Sequence, residues 1–407
     1  MKITGKGLTL RGEGVDRTVI TDSMPSANVL EAEINNANSM LRITGFTFNA
    51  NQIAKTTALA EIMVYASGDA IDKFRIDRIK LANVYSRGVF VVMNGFDVSG
   101  VIATCEINAP SSGPTQGITI EGSGPQQRTP FRRPFTIGTK RAIYVEDCTF
   151  NYSSPNDGVL DAYTGGRYVF RNSTVKGTFI SHHGADSGDG AGVASFEIYN
   201  NRFDSAGVSG IGQMMFFRSG TGVVFGNVFT TSGGAGYSRP ITLTNYRSWQ
   251  SFGYWGKCDG TSPWDENQAG KQGYACLDQI GHFFTENRGG SNSLRPLYLW
   301  SNTLNGARSD AVVQSDLGPL LLTHILENRD FYNQAPTFDG STGVGVGLAS
   351  ARPQTCSTLT AYFATDTQTL FQCVAANQWT NYFTPYAYPH PLRAPKTATG
   401  ARSRARR

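Results

Sequence analysis

Histidine is scarce in this chain: five occur in 407 residues, and two of them are adjacent, His182 and His183. Charge is sparse too. Asp, Glu, Lys and Arg make up 16% of the residues, which excludes a disordered polyelectrolyte and a coiled coil. No apolar run is long enough to cross a bilayer, so no membrane span is expected. The six cysteines show no CxxC or other zinc-type spacing, so no structural zinc site is expected. A secretory leader is missing as well. Met1 runs straight into ITGKGLTLRGEG, itself a strand-and-turn pattern, and the recorded start is expected to lie inside a longer gene.

What is plentiful is glycine, 46 residues, and aromatic side chains, 11% of the chain, as short strands joined by many turns require. Within residues 142–229 four lines repeat: AIYVEDCTF, RYVFRNSTV, FEIYNNRF and GVVFGNVF. Each is a strand run that turns on a small or polar residue and closes three residues later on a large apolar one. The pairs are Asp147 with Phe150, Asn172 with Val175, Asn200 with Phe203, and Gly226 with Phe229, and the turn residues lie 25, 28 and 26 positions apart. A unit this short cannot bury a core alone and must stack on its neighbours. One such strand per unit, always in the same direction, gives a parallel sheet wound as a coil. The expected fold is all-β, a right-handed parallel β-helix.

The rhythm extends both ways. Gly45, Asp77 and Thr104 are turn positions 32 and 27 apart; Ser301 follows Gly226 by 75 and Asn328 follows Ser301 by 27. It is interrupted by a Pro/Gly/Arg-rich stretch, 109–140, read as a long loop, and by a Trp/Gly/Pro-rich insertion, 231–293. The β-helix is therefore expected over 1–334, with a C-terminal cap module at 335–392 and a disordered basic tail at 393–407. The tail accounts for the net charge of +5: without Lys396, Arg402, Arg404, Arg406 and Arg407 the chain holds 31 basic and 31 acidic residues. A run so short reads as a solvated end, and no nucleic-acid partner is expected. Cys258 with Cys276 and Cys356 with Cys373 flank local loops and read as disulfides, which points to an extracellular or cell-surface location. Cys105 and Cys148 sit just after turn residues and read as buried, stacked thiols.

Period-2 alternation assigns faces. Aligning VLDAYTGGRYVF with MFFRSGTGVVF points Leu160, Ala162, Met215 and Phe217 inward. Asp161, Tyr163, one of His182 and His183, Arg218 and Tyr246 then form one outward stripe. A one-residue slip would reverse every face. A histidine on this stripe can serve as general base and Asp186, in the loop that follows, can orient it. The bland reading is that the two histidines end a strand and that Asp186 and Asp189 form Asx turns. Calcium on the aspartates of that loop is a lesser reading; no other metal or cofactor is expected. Asp157 and Asp161, four apart on a strand, share a face as glycosidic carboxylates would, although Asp157 also suits an Asn-Asp-Gly turn. Arg218 interrupts an apolar MMFFR run and suits neutralisation of a sugar carboxylate. Lys140 and Arg247 add cations, and Tyr163, Trp249 and Trp255 add ring faces. For the tryptophans the alternative is a small satellite core stapled by Cys258–Cys276.

With the repeats laid out, the chain resembles the pectin-lyase-like superfamily of right-handed β-helix proteins over roughly 1–332. The runs IGTKRAIYVEDCTF, DGVLDAYTGGRYVFRNSTV, GTFISHHG, CLDQIG and YFTPYAYPHPL are similar to a bacterial and metagenomic group of undefined activity. AYFATDTQTLFQCVAANQWT resembles a surface module of phage and bacterial proteins. Characterised members of the superfamily include polysaccharide lyases, polygalacturonases and phage tailspikes. Polygalacturonases carry Gly-His-Gly before Arg-Ile-Lys; here Arg78-Ile79-Lys80 precedes His182-His183-Gly184, so no residue role transfers. The resemblance implies a polysaccharide partner. The expected function is cleavage of a uronate-containing glycan by β-elimination, or by hydrolysis, in a groove along the coil. His182 or His183 would be the base, Asp161 and Asp186 orienting or acid groups, Arg218 the charge neutraliser and Tyr246 the proton donor. The alternative is a non-catalytic glycan-binding surface or tailspike-like protein, trimeric if it is a fibre.

Overall fold

Eight residues at equivalent places in the repeat take the left-handed backbone conformation: Gly45, Arg78, Thr104, Asp147, Asn172, Asn200, Gly226 and Ser301, with φ between 52° and 77°. Glycine and asparagine tolerate this region best, which is why the turn recurs on small or polar residues. Two expected positions move: one turn falls on Arg78, with Asp77 the last residue of the strand before it, and Asn328, although left-handed, precedes the strand Phe331–Tyr332 in place of following one. The computed structural model describes residues 1–56, 58–110, 113, 115–122, 134–155, 158–185, 191–233, 237, 239–252, 256–259, 276, 278–284, 292–314 and 321–394.

Among these the chain is all-β with three long sheets, here A, B and C, each of ten strands. Lys2–Ile3 enters sheet A, Thr9–Arg11 sheet B and Val19–Thr21 sheet C; Leu30–Ile34, Leu41–Thr44 and Thr47–Asn49 then repeat the cycle. The left-handed turn separates the B strand from the C strand of each cycle. Pairing in sheets A and B is parallel throughout, and sheet C departs from it only where Thr303–Leu304 meets Ala307–Arg308. Parallel neighbours need a crossover, and here the crossover is the rest of the cycle. The order is consistent with a solenoid. Alternate residues of all three sheets meet inside. Ile43, Ile76, Ile102, Val145, Phe170, Ile198 and Val224 stack in register in sheet B, each buried.

The residue after each turn points into the core, and its neighbours satisfy the bent corner. Cys148 N–H donates to Ser173 Oγ at 3.1 Å and Ser173 N–H to Asn201 Oδ1 at 2.9 Å. Asn201 N–H donates to Asn227 Oδ1 at 3.2 Å and Asn227 N–H to Asn302 Oδ1 at 3.1 Å. The amides also bond one another, at 3.0 Å and 2.9 Å. Each Nδ2 in addition donates to a carbonyl of an adjoining sheet B strand, that of Phe170, Ile198 or Val224. Cys105 and Cys148 begin this file as buried free thiols.

Two expected loops contribute strands. Gln116–Glu121, inside 109–140, and Ile241–Leu243, inside 231–293, both belong to sheet A, because GITIE and ITL carry the alternation that the surrounding glycines and prolines obscure. Cys258–Cys276 and Cys356–Cys373 are disulfides. The C-terminal module holds a four-stranded sheet, Val344–Gly347, Ala361–Ala364, Thr369–Ala375 and Gln378–Phe383. Expected as a cap on the last turn of the coil, it covers the outer face of sheet B as well. There Tyr199, Phe225 and Trp300 stack with centroids 4.7 Å and 4.3 Å apart, and Phe363 and Phe383 pack on them. The segment that follows runs back along the same face. Buried Arg171 donates to Glu146, to the Tyr199 hydroxyl and to the carbonyls of Tyr386 and Ala387, and Arg75 donates to the carbonyl of Leu392.

Replacing Asn227 with alanine removes side-chain hydrogen bonds to Asn201, Ile198 and Asn302 and leaves buried polar groups unpaired. The expected loss is about 3 kcal/mol or more of stability, read as a lower urea midpoint at an unchanged m-value.

Candidate functional site

Among the described residues the C-terminal module packs on sheet B and leaves the outer face of sheet A uncovered. The register of sheet A is Leu160 with Ile180, Ile180 with Met215 and Met215 with Ile241, so Asp161, Ser181, Phe216 and Thr242 stand in one outward file. The next outward file runs through Tyr163, His183 and Arg218. The adjacent histidines are thereby divided. His182 points inward, fully buried, its ring edge-on to Phe196 at 4.6 Å and Phe217 at 4.5 Å. Neither of its ring nitrogens has a hydrogen-bond partner among the described residues. Burial, and then the charges of Arg218 and His183, hold its pKa well below the usual histidine value. His182 is therefore a neutral core residue and not the base expected of it.

His183 points outward with its side chain 30% exposed. Its Nδ1 lies 2.8 Å from Oδ1 of Asp161, and Oδ2 of Asp161 accepts from Gln116 Nε2 at 2.8 Å. Gln116 is held in turn by Arg87 Nε and the Thr119 hydroxyl, both donating to its Oε1. Asp161 is 1% exposed; it is a buried orienting group beneath the stripe, not an exposed member of it. With Nδ1 donating to this carboxylate, Nε2 of His183 is the nitrogen available for base chemistry. The Arg218 Nε donates to the His182 carbonyl at 3.2 Å, and its guanidinium lies over the Tyr246 ring, 5.1 Å from the centroid.

These groups line one cleft of about 440 Å³: Gln116, Asp161, Phe179, Ser181, His183, Gln213, Phe216, Arg218, Tyr246 and Gln314. Tyr246 sits on a short 3-10 turn, Tyr246–Ser248, started by Asn245, whose side chain accepts from the Arg247 N–H. Phe216, Trp249 and Phe252 surround the Tyr246 ring at 6.0–6.5 Å, and Trp249, 43% exposed, forms the rim.

No family model matches the chain, and neither a curated protein nor a solved structure is significantly similar to it. The reading of the site therefore rests on its own geometry.

Other expected contacts lie elsewhere. Lys140 is on the sheet B side, 3.0 Å from Asp72. Arg247 is 1% exposed: its side chain turns inward and donates to the Gly256 carbonyl, bracing the insertion. Tyr163 is not part of the cleft lining; its ring meets that of His183 edge-on at 5.8 Å, and its hydroxyl donates to Glu121 at 3.2 Å. Asp157, Asp186 and Trp255 lie outside the described residues, as does Asp189. Three glutamines, Gln116, Gln213 and Gln314, and the buried Glu121 were missed. Gln116 and Glu121 belong to a strand hidden in an apparent loop, and glutamines carry no motif. Among the described residues one set of donors gathers closely enough for a metal, Cys258, Cys276 and His324, with ligand atoms within 4.8 Å of one another. The disulfide between the two cysteines removes both thiolates.

The pKa of His182 is depressed in the folded state, so its contribution to stability is present above the unfolded value near 6.5 and is lost as the pH falls below it. His182→Leu should reduce the loss of stability between pH 7.5 and pH 5 by about 2 kcal/mol, measured by urea unfolding at both values.

Proposed function

We propose that this chain is a right-handed parallel β-helix that binds a polysaccharide along the outer face of sheet A and cleaves it, with His183 as the base. The observation that carries this reading is the relay Arg87–Gln116–Asp161–His183, which ends in a cleft also lined by Arg218 and Tyr246. A histidine fixed through Nδ1 by a carboxylate has the arrangement of a general base. An arginine two strand positions from a buried aspartate suits an anionic sugar. β-Elimination accounts for this set. Arg218 draws charge from the sugar carboxylate and His183 Nε2 takes the proton on the adjacent carbon. The electron pair left behind forms a carbon–carbon double bond and expels the glycosidic oxygen, which takes a proton from Tyr246. Hydrolysis needs two carboxylates facing the bond. Among the described residues of the cleft only Asp161 carries one, and both of its oxygens are engaged. The two disulfides are compatible with an extracellular setting.

A second reading, a glycan-binding surface protein without turnover, draws on the rings of Phe216, Tyr246, Trp249 and Phe252, which suit stacking on sugars.

Incubation with uronate-containing polysaccharides, followed by ultraviolet absorbance of unsaturated ends and by reducing ends, separates these readings. Both signals are expected to rise, and His183→Ala should lower the rate by roughly 10²–10⁴, while His182→Leu retains it. New reducing ends without absorbance would move the chemistry to hydrolysis. Retention on a glycan column with neither signal would leave the binding protein.

A further inference from the structure

Given the proposed glycan-cleaving site, we infer that its substrate is a copolymer in which uronates are separated by neutral sugars, and not a chain with a carboxylate on every sugar. The inference rests on that functional reading and on where charge stands along sheet A. From the strand Gln116–Glu121 to the strand Ile241–Leu243 the open face crosses five strands. At about 4.8 Å per strand this is a lane of roughly 19 Å, long enough for several sugars. A polyuronate lying in it would bring a carboxylate to the wall at nearly every step, and each carboxylate taken from water needs a cation or hydrogen-bond donors.

The lane provides one such place. Among the described residues that line the cleft, Arg218 is the single lysine or arginine. Apart from Asp161, which is bonded to His183 and Gln116, and His183 itself, the polar lining consists of Gln116, Ser181, Gln213 and Gln314, side chains that match hydroxyl and acetamido groups, and of Tyr246. Toward the N-terminal end the lane turns against anions. Glu121 pairs in register with Tyr163, the outward residue next to His183. Its Oε2 accepts the Tyr163 hydroxyl, and its Oε1 is buried with no hydrogen-bond partner among the described residues. A sugar seated over Tyr163 lies above this buried carboxylate, whose charge is offset only in part by Arg87, itself buried. A neutral sugar fits there, and a uronate is repelled.

The test compares three polymers with the full chain at about pH 8 and low salt: polygalacturonate, charged on every sugar; unsulfated hyaluronan, charged on every second; and a neutral galactan. Retardation in affinity gels reads binding independently of turnover, and unsaturated ends read cleavage. Hyaluronan should be bound or cleaved at least about tenfold better than polygalacturonate. Glu121→Gln should raise the use of polygalacturonate by about tenfold and leave hyaluronan nearly unchanged. Preference of the unmodified chain for polygalacturonate or for galactan overturns the inference while leaving glycan recognition intact. A correctly folded Glu121→Gln protein with an unaltered preference overturns it too. If no polymer is bound or cleaved, the functional reading falls and this inference with it.

Discussion

The structure depends on how each coil satisfies the backbone at its sharpest corner. A left-handed residue takes the chain out of sheet B, and the N–H that follows cannot continue the regular ladder. A buried N–H without a partner is costly. From Cys148 to Asn227 that N–H is taken up by the side chain at the same position one coil later, serine and then asparagine. Asparagine serves best because its amide both accepts from the coil before and donates to an adjacent carbonyl. A turn displaced by one residue would break this file, and the file therefore holds the register of all three sheets.

Register decides chemistry here. In a strand a shift of one residue exchanges inside and outside. The Ile180–Met215 pairing sends His182 into a cage of Tyr168, Phe196 and Phe217, and leaves His183 in line with Arg218. The pairings Leu160–Ile180 and Ile118–Leu160 set Asp161 within reach of His183, just past the end of one neighbouring strand, and of Gln116, at the start of the other. A hydrogen-bonded relay assembled from three successive coils needs no linear motif, since its members are brought together by stacking and lie 22 and 45 residues apart in sequence. That is why linear signatures are uninformative for this chain.

The legible part of the sequence follows from the same physics. Turn residues are visible because few side chains tolerate positive φ, and the stripe of Asp161, one of His182 and His183, Arg218 and Tyr246 follows from alternation counted from those turns. Three things were hidden. Asp77 looked like the turn because aspartate favours such positions, yet Arg78 occupies it while Asp77 stays in the strand, where Arg42 and Arg75 hold its carboxylate ionised against its burial. The choice between His182 and His183 needed a pairing partner, since the alignment alone tolerates a slip. Gln116 and Arg247 depend on tertiary context: one is a strand end inside a Pro/Gly-rich stretch, and the other a cation drawn inward by the Gly256 carbonyl.

The contrast between a covered face and an uncovered one bears on the proposed function. Aromatic residues appear on the outside of sheet B, in Tyr199, Phe225 and Trp300, and on the outside of sheet A, in Phe216 and Tyr163. The first group is sealed under Phe363 and Phe383 and clamped by the arginine that bonds Glu146 and the Tyr386 and Ala387 carbonyls. Buried charge of that kind rigidifies but does not react, since every donor around Arg171 is already committed to a protein acceptor. On sheet A the described relay ends at the His183 ring, which is bonded through Nδ1. Asp161 is held from beneath by Gln116 and from above by His183, and the imidazole keeps one nitrogen toward the cleft. A polar network that stops one hydrogen bond short at an open face is the arrangement in which the last partner is a ligand, and that asymmetry between two otherwise similar sheets is the physical reason to place binding on sheet A.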